Sequence, residues 1–160
     1  MQIEPQPEHA WLMGMIGNWT FECTCDMGPD QPPAVSVGSE TVRAFGNGWV
    51  LIEGRHEGPN GPAGETLVTL GFDPARARYV GTFVGTMMSN LWVYDGVLDT
   101  AGHVLTLDTE GPSFSGDGTI ARYQDIITYD GGDTRTMTSR ALQSDGSWLE
   151  FLTVRYRRSA

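Results

Sequence analysis

A chain of 160 residues has room for one domain with a real core, and sixteen aromatic residues spread along its length argue against disorder. Its 20 acidic and 10 basic residues give a formal net charge of −10, which would repel a phosphate backbone or an anionic membrane surface, so neither nucleic acid nor membrane is expected as a partner. The 39% hydrophobic content and 21 glycines fit many short strands joined by tight turns, and no stretch approaches the roughly 20 apolar residues of a membrane span.

The opening MQIEPQPEHAW has neither a basic segment nor an apolar run, so a targeting peptide is not expected and the reading is cytoplasmic. One helix is predicted over about residues 7–16. Pro7 suits the first helical position, and Glu8 suits the positive end of the helix dipole. Trp11, Leu12, Met15 and Ile16 recur at helical spacing, and Gly17-Asn18 ends the pattern.

At Gly17 the period changes to two. Trp19, Phe21, Cys23 and Cys25 alternate with polar residues, as in a half-buried strand. Further strands are predicted over about residues 34–45, 49–57, 65–73, 78–86, 90–98, 103–111, 119–129, 134–142 and 147–157, separated by turn signals such as PDQPP, GNG, GPNGPAG and DGGD. About ten strands in an open sheet would leave two bare edges, and closure removes them. The predicted fold is therefore all-β: residues 1–160 form one closed, antiparallel, up-and-down barrel with a short N-terminal helix, with a two-sheet sandwich as the alternative.

The segment HAWLMGMIGNW, a short helix followed by Gly17-x-Trp19, resembles the opening of the lipocalin and fatty-acid-binding superfamily. The runs LGFDPARARYVGTFVGTMMSNLWVYDGVLD, LTLDTEGPSFSGDG and RALQSDGSWLEFLTVRYRR resemble, in this order, a bacterial family known as domain of unknown function 1579. The likeness runs from about His9 to Arg158 and implies a calycin-type barrel but no activity. Where that family often has Asp-His-Arg at the start of the ninth strand, this chain reads Asp133-Thr134-Arg135.

Barrels of this resemblance seal one end with the first-strand tryptophan beneath a late arginine. Trp19 is thus assigned to the barrel end, with Arg157 preferred over Arg155 as the cation above it, and His9 is expected to bond the helix to the barrel. The segment TMMSNLWVYDG concentrates methionine, Trp and Tyr, which suits either a ligand cavity or, through Trp92, a homodimer interface. Tyr123 and Asp125 share a phase on the eighth strand, as do Met137 and Ser139 on the ninth, so the interior is expected to be partly polar. Met88, Trp92, Tyr94, Tyr123 and Phe151 are predicted to share one cavity, with Glu53 and Asp125 as polar contacts.

Catalytic and metal constellations are not marked. No GxSxG elbow occurs, and Cys23 with Cys25 lacks the further ligands of a structural metal site, so neither a catalytic set, a metal nor a cofactor is assigned. His56 alone among the histidines could face a cavity as a haem ligand would, without further support. Three readings stay open: a protein that binds a small amphipathic molecule, an enzyme using Tyr, Asp or Glu for acid–base chemistry, and a packed interaction module. A filled barrel would remove the first two, and a roomy cavity holding a carboxyl of raised pKa would favour the enzyme.

Overall fold

The computed structural model describes residues 2–58 and 60–159. Helix α1 (Pro7–Gly14) precedes ten strands: β1 (Gly17–Cys25), β2 (Ala34–Phe45), β3 (Trp49–Gly58), β4 (Gly61–Asp73), β5 (Arg78–Gly85), β6 (Trp92–Leu98), β7 (Val104–Pro112), β8 (Ile120–Thr128), β9 (Thr134–Leu142) and β10 (Trp148–Arg158). Each strand pairs antiparallel with the next, and β1 pairs with β10, with Trp19 opposite Arg158 and Cys25 opposite Leu152. The sheet is a closed up-and-down barrel without an unpaired edge. Among the described residues no helix is long and apolar enough to cross a membrane.

This connectivity gives the barrel two unlike ends. The β1–β2, β3–β4, β5–β6, β7–β8 and β9–β10 connections ring one end, the mouth. The other four connections and α1 lie at the opposite end, the floor. Leu12 of α1 and Met15, which caps its C-terminus, pack with Trp19, Val42, Val50, Leu70 and Leu105, all essentially inaccessible. At roughly 1.5–3 kcal/mol for each large apolar side chain removed from water, this floor core supplies what an eight-residue helix lacks on its own.

The helix stops at Gly14, two residues before the end that the sequence pattern predicts, because barrel side chains take its last carbonyls. Trp19 Nε1 donates to Met15 O at 2.9 Å, the Tyr129 hydroxyl donates to Gly14 O at 2.7 Å, and Arg158 donates to Ile16 O at 2.6 Å and Gly14 O at 3.0 Å. These bonds satisfy orphan carbonyls and set a positive charge at the negative end of the helix dipole. The predicted loop between β3 and β4 is also shorter than its prolines imply. Gly58 pairs directly with Gly61, and Gly61 (φ 119°) and Gly64 (φ 154°) take conformations that carry the ladder through the segment.

Candidate functional site

A cavity of about 330 Å³ occupies the mouth half of the barrel. Its wall is built by the inward phase of each strand, and three levels can be distinguished from floor to mouth.

At the floor, Glu40 on β2 and Arg135 on β9 meet across the interior in a buried ion pair. Neither strand is a neighbour of the other, so only closure of the barrel brings them together. The Arg135 guanidinium also lies over the rings of Tyr156 (3.8 Å) and Trp19 (4.7 Å), while Arg158 covers Trp19 at 4.3 Å. Burial pushes the Glu40 carboxyl up from its ordinary range, and the charge of Arg135 pulls it back. Arg135 Nε is buried without a hydrogen-bond partner.

At the middle level, Asp125 on β8 accepts hydrogen bonds from the Tyr94 hydroxyl on β6 and from Ser139 Oγ on β9, the latter at 2.5 Å. Desolvation raises the Asp125 carboxyl above the usual carboxylate range, against the pull of these two donors. Tyr94 is pushed well above an ordinary phenol, first by burial and then by Asp125. The Thr109 hydroxyl on the adjoining wall is buried and has no partner. Across the cavity His56 packs against Phe21 with ring centroids 4.8 Å apart, and burial lowers its basicity.

The mouth is aromatic. Trp92 meets Tyr123 edge-on at 5.3 Å, Phe114 meets Tyr123 at 5.2 Å, and Phe151 meets Phe114 at 5.1 Å. Trp92 Nε1 donates to Met88 Sδ at 3.0 Å, and the Tyr123 hydroxyl donates to Pro112 O at 2.7 Å. Gly111 makes room for Trp92, since a methyl group there would sit 2.1 Å from the indole ring.

The structure therefore brings Met88, Trp92, Tyr94, Tyr123, Asp125 and Phe151 onto one cavity wall. Glu53 is not among them and requires correction: it points outward on β3, half-exposed, and pairs with Arg43 at 3.1 Å. On that strand Val50, Ile52 and Gly54 hold the inward phase. Trp19 is fully buried, and His9 ties α1 to β4. His9 Nδ1 accepts from the Gln6 backbone N–H at 2.9 Å, which leaves Nε2 to donate to Phe72 O at 3.2 Å.

Arg157 is the second correction. It lies exposed on the outer face, and the cations over Trp19 are Arg135 and Arg158. The cause is a bulge between Glu150 and Leu152. Phe151 and Leu152 both line the cavity, so the inward phase passes to Val154, Tyr156 and Arg158. Counting by twos from Phe151 leads to Arg157, and the bulge breaks that count.

Glu40, Arg135, Arg158, Phe114 and Thr109 are site residues that the sequence reading missed. A signal existed for two of them: Glu40 shares the inward phase of β2 with Val42, and Arg135 belongs to the Asp133-Thr134-Arg135 triplet.

The family DUF1579, described as a protein of unknown function, matches residues 4–158. Among solved structures, the crystal structure of Rv2717c from M. tuberculosis is similar with a TM-score of 0.70 at 14% identity, over 98% of this chain and 100% of that one. At such identity the likeness is one of fold. No curated protein matches the sequence.

Proposed function

The chain belongs to the DUF1579 family, and on that premise we propose that it binds a small, partly apolar molecule inside the barrel without turning it over. The observation that carries this reading is a largely apolar cavity of about 330 Å³, with the Asp125–Tyr94–Ser139 cluster in its wall and the Glu40–Arg135 pair at its floor, near the lower end of the roughly 300–1,000 Å³ common for ligand sites. Its size suits a compact amphipathic molecule better than a long acyl chain. Met88, Trp92, Phe151 and Tyr123 would hold the apolar part, and Tyr94 with Asp125 would orient the polar part. The acidic net charge supports a small molecule rather than nucleic acid or an anionic membrane as partner. Two free thiols, Cys23 and Cys25, suit a cytoplasmic setting.

The neutral dye phenylnaphthylamine should bind the native protein with micromolar affinity, roughly −8 kcal/mol. Native mass spectrometry of protein purified from its own host should find a co-purified small molecule. Absence of both dye binding and any retained molecule would overturn the reading.

A second reading has one specific observation in its favour. Asp125 is a cavity carboxyl whose pKa is raised, and it is hydrogen-bonded to a phenol. Such a group suits general acid–base catalysis. Chemical change of the co-purified molecule on incubation, lost in Asp125→Asn, would favour the enzyme over the binding protein.

A further inference from the structure

The charges that line the cavity do not cancel. Glu40 is matched by Arg135 in the floor pair. Asp125 is not matched by any cation. Its partners are two neutral hydroxyls, and both act as donors, an arrangement that serves a carboxylate acceptor. Among the lining residues the remaining nitrogen base is His56, which burial holds toward its neutral form. The ionised site therefore carries one uncompensated negative charge in apolar surroundings, a costly state that an incoming cation would relieve.

The rest of the wall suits such a guest. Each Asp125 oxygen accepts one hydrogen bond and retains acceptor capacity. The Thr109 hydroxyl, buried and unpartnered, offers a further acceptor on the strand next to Tyr94. Trp92, Tyr123, Phe114 and Phe151 present ring surface at the mouth, on which an apolar body can pack.

We propose that the ligand is a monocationic amine with a compact apolar body, its ammonium group donating to Asp125 in the middle of the barrel and its body filling the aromatic mouth. The inference rests on the reading of the barrel as a binding site and deepens it by naming the ligand class.

Three probes that share one apolar body separate the possibilities: phenylbutylamine, phenylbutanol and phenylbutyrate, each competing against phenylnaphthylamine at neutral pH. The amine should bind at least about tenfold more tightly than the alcohol, the least that one charge-assisted hydrogen bond provides. The acid should bind more weakly than either. In Asp125→Asn the ratio of amine to alcohol affinity should fall to about one, with circular dichroism confirming a folded barrel. If the alcohol or the acid equals the amine on the native protein, or if Asp125→Asn keeps the preference, the amine assignment is overturned and the binding reading stands. If neither the dye nor any probe binds, both are overturned.

Discussion

Trp19 joins the helix end, the barrel core and the cations of the floor. It is inaccessible, its indole N–H holds the end of α1, and two guanidinium groups cover its ring. Trp19→Ala should cost about 3–5 kcal/mol, measured by urea denaturation, as for other large aromatic truncations in cores. Asp125 calls for a pH experiment. Its folded pKa lies above the unfolded value, so the native state holds this proton more tightly than the unfolded chain. Its contribution to stability is therefore greatest at low pH and is lost as pH rises from the ordinary carboxylate range through the raised value. Asp125→Asn removes this dependence. Relative to wild type, its Tm should increase as pH is raised from about 4 to about 8. A constant Tm difference across that range would show that Asp125 does not titrate above its ordinary range.

At the scale of elements, the sequence was legible wherever periodicity acts locally. Pro7, Glu8 and the Trp11–Ile16 spacing announced α1, and the alternation from Trp19 to Cys23 announced the inward face of β1. Legibility failed where phase depends on a neighbouring strand. The run Trp49-Val50-Leu51-Ile52 is apolar on both faces, so it leaves the orientation of Glu53 open, and only pairing with β2 and β4 decides it. The bulge in β10 decides in the same way which late arginine faces inward, and nothing in the local sequence marks it. The Glu40–Arg135 pair lay beyond local reading altogether, because its two residues are 95 positions apart in the chain and meet only across the closed interior. Between β6 and β7, Gly111 sets how far Trp92 can lie across the mouth. Gly111→Ala should displace the indole and weaken phenylnaphthylamine binding at least about tenfold, while far-UV circular dichroism stays native. Unchanged dye affinity would remove Trp92 from the binding wall.

The whole molecule divides its labour along the barrel axis. The floor half is filled by α1 and the core, and the mouth half holds the cavity. The chain as a whole carries a formal net charge of −10, almost all of it on the surface. Self-repulsion of that charge opposes the compact state, and screening relieves it. The Tm should therefore rise when sodium chloride is increased from about 0.02 M to about 0.2 M, over which the Debye length shortens roughly threefold. A falling Tm would mean that attractive surface pairs such as Arg43–Glu53 and Arg55–Glu65 outweigh the net repulsion.

The alternation of connections between the two ends has a consequence for how this scaffold can diversify. Five loops ring the mouth, the segments 86–91 and 113–119 supply cavity-lining residues, and the described side-chain bonds that hold α1 over the floor come from none of the five. Lengthening or exchanging a mouth loop changes what enters the barrel without touching the contacts that keep it closed. Selectivity and foldability can then drift independently, and a library randomised in the segments 86–91 and 113–119 should yield folded variants with altered guests.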